Sequence, residues 1–176
     1  MTEPAPASPP APSTLAATVA RLAGVIGSPN YSKGDAAALR RWAPGQPVPL
    51  AFYRLWLRHA SQDLPPDTQI ESWMLLVWGL ATAGEGGHQP RRPFGQALAE
   101  SGYSEARLER LLAAPDEVRG ELFMSAVRFL TAKGESFDWT EAAAFLLATD
   151  TDACERSHRR IAQAFYRHLP QDNTKE

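Results

Sequence analysis

Gln69-Ile70-Glu71-Ser72-Trp73-Met74-Leu75-Leu76-Val77-Trp78-Gly79-Leu80-Ala81-Thr82-Ala83 is apolar on nearly every side when wound as a helix. At about 100° per residue, Ile70, Trp73, Met74, Leu75, Leu76, Val77, Trp78 and Leu80 spread around the axis instead of forming one stripe. Such a helix belongs at the centre of a fold, covered on all sides. Its most apolar part, Trp73 to Ala83, is shorter than the roughly 18 to 25 residues that a bilayer crossing needs, so no membrane span is expected.

Around it the helical period recurs with capping and stop signals. Leu15, Val19, Leu22 and Ile26 share a face, and Gly27-Ser28-Pro29-Asn30 ends that helix. In Ser32-Lys33-Gly34-Asp35-Ala36-Ala37-Ala38-Leu39-Arg40-Arg41, Ser32 with Asp35 three residues later is a capping signature. The alanines and Leu39 favour helix until Pro44, Gly45, Pro47 and Pro49 stop it. A helix over Leu50 to Ala60 gathers Phe52, Leu55, Trp56 and His59 on one side and Arg54 and Arg58 on the other. Phe94–Ser101, Ser104–Ala113 and Asp116–Lys133 read as three more helices. Asp138 and Thr140 can cap one that runs to Leu147, and a last helix covers about Asp152 to Leu169. Apolar and polar residues nowhere alternate for long enough to make a strand. The expectation is an all-α protein of two small helical bundles packed together, with no sheet. Its lobes are 14–113 and 114–176, and the Pro-rich segment 1–13 forms a disordered tail. Gly84 to Pro93, with Arg91 and Arg92, reads as a flexible loop. It is no phosphate loop, since no Gly-Lys-Ser/Thr follows.

The 176 residues carry a formal charge of −2, which argues against indiscriminate coating of nucleic acid but leaves room for a local patch. The single cysteine, Cys154, excludes an internal disulfide and suits a reducing compartment. With no secretory signal in view, a cytoplasmic protein is expected. His59, His88, His158 and His168 are isolated and show no metal-ligand spacing. Cys154 falls on the apolar face of its helix, and Ser157-His158 cannot form a triad with Asp150 or Asp152, because neighbouring helical residues point apart. No carboxylate pair signals the burial that would tune an acid. No catalysis, metal or cofactor is expected.

Charge is nevertheless segregated. Fifteen of the 18 cations are arginines, a bias that GC-rich coding alone would also produce. Residues 30–60 hold five cations and one anion, net +4. In the last helix Arg156, Arg160 and Arg167 fall within about 40° of one another, with Arg159 near −60° and Cys154, Ile161, Phe165 and Leu169 opposite. Glu100 to Glu121 has six acids against three cations, a solvated face or one for a basic partner. Three basic stripes, Lys33/Arg40/Arg41, Arg54/Arg58 and Arg156/Arg160/Arg167, suit phosphate backbone gripped without base reading.

Ser32 to Arg41 followed by Ala51-Phe52-Tyr53-Arg54 resembles the N-terminal signature of the CasB family, the small subunit of the type I-E CRISPR surveillance complex, Cascade. Phe137-Asp138-Trp139 and Arg159-Arg160-Ile161-Ala162-Gln163-Ala164-Phe165-Tyr166 resemble its C-terminal end. The resemblance spans about Leu15 to Leu169, with its specific motifs at the two ends. It implies an all-helical, non-enzymatic subunit present in two copies. These would lie against the backbone and large subunits and help hold crRNA-paired target DNA and the displaced strand of the R-loop. The nucleic-acid-binding residues it carries over are Lys33, Arg40, Arg41, Arg54, Arg159 and Arg160. Arg58, Arg156 and Arg167 are added by the face analysis alone. The alternative is a helical protein–protein scaffold whose arginines meet acidic partner surfaces.

Overall fold

The computed structural model describes residues 14–171, so the Pro-rich segment 1–13 lies outside the described residues. Among the described residues the chain forms nine α-helices and no strand: α1 (Leu15–Ile26), α2 (Lys33–Arg41), α3 (Leu50–His59), α4 (Asp67–Ala83), α5 (Phe94–Glu100), α6 (Glu105–Leu112), α7 (Asp116–Ala132), α8 (Trp139–Leu147) and α9 (Thr151–His168). An isolated parallel bridge joins His88 to Phe137. The all-α expectation therefore holds, and helix ends fall within two residues of those read from the pattern. The largest departure is α4, which starts at Asp67 directly after Pro66, where proline ends the preceding extended segment. No helix among the described residues is long and apolar enough to cross a membrane.

Short polar side chains start the helices. The hydroxyls of Thr14, Ser32 and Ser104 accept from Ala17, Asp35 and Arg107 N–H groups, and the carboxylates of Asp138 and Asp150 from Thr140 and Ala153, at 2.8–3.3 Å. At α2 the capping signature is half realised. Ser32 caps, but the Asp35 carboxylate turns outward to Arg54, 2.6 Å away, instead of reaching back to the Ser32 N–H.

The helix α4 is the hub, packing against α1, α2, α7 and α8. Residues Trp73 to Ala81 are all buried, as their lack of a polar face requires. The core does not part at residue 113: α5 packs on α9, α4 on α7 and α8, and one buried cluster draws on both segments. Residues on the two sides of position 113 thus share one core.

Two glycines set how closely the helices approach. At Gly79 the Trp139 ring lies where a Cβ would be, and at Gly95 the α9 backbone at Ile161 and Phe165 occupies that space. The Gly84–Pro93 segment, expected to be flexible, is instead pinned to residues 136–139. Gln89 N–H donates to Phe137 O (2.9 Å), Asp138 N–H to Arg92 O (2.7 Å), and Trp139 Nε1–H to Gly87 O (2.9 Å). These partners lie about fifty residues away in sequence, beyond the reach of any local pattern.

Gly95→Ala forces α5 and α9 apart and should destabilise the fold by about 3 kcal/mol, at the upper end of overpacking costs because rigid backbone stands in the way. Gly24→Ala, in the last turn of α1 with open space around it, should stabilise by about 0.5 kcal/mol. Urea denaturation of both variants checks the pair.

Candidate nucleic-acid interface

The cations that assemble around one feature are those of α9. Ala153, Arg156, Ser157, Arg160, Ala164 and Arg167 follow at the i, i+3, i+4 spacing that lines one helix face. Facing them is α8, with Glu141 and the small Ala144. Between the two helices lies a furrow of about 410 Å³, whose polar walls include Arg160, Gln163, Arg167 and His168 of α9, Thr140 and Glu141 of α8, and Arg91 and Asp138 from the preceding segments. A smaller recess of about 170 Å³, with Arg156 and Ser157, adjoins it and shares Glu141, Ala144 and Arg160. At 1.5 Å per residue, Arg156 to Arg167 spans about 16 Å along α9. That length covers four or five phosphates at the ~3.4 Å strand spacing of a duplex, and fewer of an extended single strand.

Arg91 belongs to this site and was not singled out from sequence. Its φ of 69° is left-handed, a conformation that costs a residue with a side chain about 1–2 kcal/mol. The turn is held because Asp138 Oδ2 accepts the Arg91 N–H at 3.0 Å while the Asp138 N–H donates to Arg92 O. Arg92, its neighbour, has a different task. It bonds the carbonyl of Ser136 and the carboxylates of Glu100 and Glu135, each at 2.6 Å, and is largely enclosed. One arginine of the pair fastens the loop and the other lines the furrow. Only the Arg-Arg dipeptide was visible in the sequence, with nothing to divide the roles.

Two carboxylates shape the electrostatics. Burial would raise the Asp138 pKa, but hydrogen bonds from the backbone of Arg91 and Thr140 outweigh it and hold the group below the usual carboxylate range, so it is ionised near neutrality. Glu141 is only 8% exposed, although the sequence signalled no buried carboxylate. Its Oε2 accepts the N–H of Phe94 at the start of α5. Burial drives its pKa upward against the opposing pull of that bond and of Arg160. Arg91, Arg156, Arg160 and Arg167 form no ion pair among the described residues.

The remaining sequence-selected cations lie elsewhere, and no residue of α2 or α3 lines the furrow. Arg159 points to Glu155 one turn back, 3.0 Å away, and stays 79% exposed. Arg54 pairs with Asp35. Arg40 reaches the Ala81 carbonyl at 3.5 Å, and its own carbonyl accepts from the Trp78 indole. Lys33, Arg41 and Arg58 are exposed. Cys154 is half-buried and directs its thiol to the Ala148 carbonyl at 3.5 Å.

A family model for the CRISPR-associated protein Cse2 matches residues 35–166. The chain belongs to the Cse2 family. That family supplies the small subunit of type I-E Cascade, in agreement with the CasB resemblance. No curated protein and no solved structure matches the chain. In this Cse2 chain the matched span includes Asp138, Glu141, Arg156 and Arg160, whereas Lys33 and Arg167 fall just outside it.

The raised pKa of Glu141 means that the folded state prefers its protonated form. Its favourable contribution is complete below the unfolded glutamate pKa of about 4.3 and is lost as pH rises through the folded value. Glu141→Gln keeps an acceptor for the Phe94 N–H without the buried charge. The variant should be more stable than the parent at neutral pH and should lose part of the pH dependence above about 4.3. Thermal melts from pH 4 to 8 check this.

Proposed function

We propose that this Cascade subunit grips nucleic-acid backbone along the α8/α9 furrow without reading sequence, and so stabilises the R-loop in which guide-paired and displaced strands must both be held. The observation that carries the reading is the convergence of Arg91, Arg160 and Arg167, all without carboxylate partners among the described residues, on one groove. Guanidinium forks match phosphate oxygens in pairs and hold their charge at any working pH. The groove's lining has His168 but no Phe, Tyr or Trp platform for base stacking, which favours grip on the backbone over capture of bases. In this role the protein does no chemistry: sequence is read by the guide, and the subunit supplies positive charge along the strand's path. Partners would be the backbone and large subunits and a second copy of the chain.

The outer face of α3 favours the scaffold reading for that helix. Leu50 and Leu57 are 70% and 47% exposed, and they alternate along the helix with Arg54 and Arg58. A face of mixed leucine and arginine fits a protein surface with acidic and apolar patches better than it fits phosphate alone. Lys33, Arg40 and Arg41 of α2 remain candidates for phosphate, and Arg159 is a weaker one because Glu155 competes for it.

Single-stranded DNA binding, followed by fluorescence anisotropy over a range of salt, tests the furrow. Arg91→Ala, Arg160→Ala and Arg167→Ala should each weaken binding on every DNA sequence and lower the salt slope by about one. Arg159→Ala should do so less. Affinity indifferent to salt, or unchanged in the three furrow variants, would refute the reading.

A further inference from the structure

His88 stands at the joint between the Gly84–Pro93 segment and α8, and a histidine changes charge near neutral pH. Its Nδ1 accepts the backbone N–H of Trp139, the first residue of α8, at 3.2 Å. An amide N–H can only donate, so Nδ1 carries no proton and the neutral ring holds its proton on Nε2. The imidazole thus satisfies an N–H at the helix start that the Asp138 side chain, bonded to the Thr140 N–H, leaves open. A proton on Nδ1 would remove that acceptor and set a cation against the positive end of the helix. Burial opposes the charge as well, and holds the His88 pKa below the usual imidazole range against the pull of Asp138. The space beside the ring is walled by Ala20, Ala23, Gly24 and Gly27 of α1, Leu80 of α4 and uncharged neighbours in its own segment. Asp138 is therefore the charged group that faces it. That carboxylate is already committed. One oxygen accepts the Thr140 N–H at 2.9 Å and the other the Arg91 N–H at 3.0 Å. The second bond holds Arg91 at a φ of 69°, which a residue with a side chain keeps only when its surroundings impose it. An imidazolium beside Asp138 would compete with both N–H groups for the same two oxygens, and a charged donor binds a carboxylate more strongly than an amide does. The competition gives way at Arg91, because release there also relieves the backbone.

We propose that His88 is a positioning residue that sets the place of Arg91 by proton occupancy. With Nδ1 unprotonated it caps α8 and leaves Asp138 to hold the Arg91 turn. With Nδ1 protonated it turns to Asp138, the turn relaxes and Arg91 leaves the furrow. The coupling of His88 to Arg91 stands on the geometry of this joint, and its effect on nucleic acid rests on the furrow reading above. The capped arrangement contributes its full stability above the unfolded histidine pKa of about 6.5 and loses it as pH falls through the lower folded value. Grip on the backbone at Arg91 therefore weakens in that window. The direction is opposite to the gain in positive charge from protonation of His168 in the furrow wall.

The test uses the full chain, isotopically labelled, beside its His88→Asn variant, whose side-chain oxygen stands the same number of bonds from the backbone as Nδ1 and does not titrate. As pH falls from about 7.5 to about 5, the His88 ring signals and the Trp139 and Arg91 amide signals of the parent should follow one titration curve, with its midpoint below about 6.5. In His88→Asn the two amides should stay in place. Oligothymidylate binding over a range of salt reads the consequence. At the acid end the parent's salt slope should be lower than that of His88→Asn by about one, and at the neutral end the slopes should match. His168 titrates in both proteins and cancels from the comparison. A ring that stays neutral throughout, or an Arg91 amide that does not follow the ring or moves equally in His88→Asn, overturns the proposal. Salt-sensitive DNA binding with equal slopes in the two proteins at the acid end overturns it too. Coupled titration without any DNA binding by the chain keeps the coupling of His88 to Arg91 and removes the furrow reading.

Discussion

The indole of Trp139 lying against Gly79 is the contact on which the rest of the molecule is registered. The ring occupies the space of the missing side chain on the central helix, and its N–H donates to the Gly87 carbonyl while its backbone N–H reaches His88 Nδ1 at 3.2 Å. It also packs against Phe137 and Phe123, with ring centroids 4.5 and 6.2 Å away. One side chain therefore fixes α8 on α4 and the Gly84–Pro93 segment on α8 together. Burial of a tryptophan would hold two helices under any geometry, but the missing Cβ and the two hydrogen bonds allow only one rotation and one height. Phe137 and Asp138 extend the arrangement, Phe137 into the ring cluster with Phe94 and Asp138 onto the backbone of Arg91.

The furrow follows from that register. Asp138 can hold Arg91 in a left-handed turn only because Trp139 places the start of α8 beside the loop. Glu141, one turn on, then meets the first N–H of α5, and this carboxylate joins the α5/α9 pair to α8. Close packing of α5 on α9 at Gly95 turns the arginine face of α9 towards α8. The same three acidic and aromatic positions thus build the core and the wall of the groove.

Electrostatically, the molecule is close to neutral overall and uneven locally. Many of its cations are spent within the protein. Arg92 clamps the loop through Glu100 and Glu135, Arg54 holds Asp35, and Arg128 stacks over the Trp78 ring with its guanidinium carbon 5.2 Å from the centroid. The arginines of the furrow have no such partner among the described residues. The two carboxylates that line the furrow with them are engaged with backbone N–H groups, Asp138 with those of Arg91 and Thr140 and Glu141 with that of Phe94. The furrow keeps an excess of positive charge because three arginines line it against two carboxylates.

Secondary structure was legible in the chain itself. The period of Leu15, Val19, Leu22 and Ile26, the caps at Ser32 and Asp138, and the all-round apolarity of Trp73 to Ala81 are local properties, governed by dihedral preference and by the nearest few residues. The face division of α9 is equally local, so Arg156, Arg160 and Arg167 could be grouped before any fold was known. Three things required the tertiary structure: that Arg91 joins Arg160 and Arg167 while Arg92 does not, that Glu141 is buried, and that the glycine-rich segment is hydrogen-bonded to residues 136–139. Each depends on a partner some fifty residues away, and sequence spacing carries no information about contacts whose geometry is set by how helices pack.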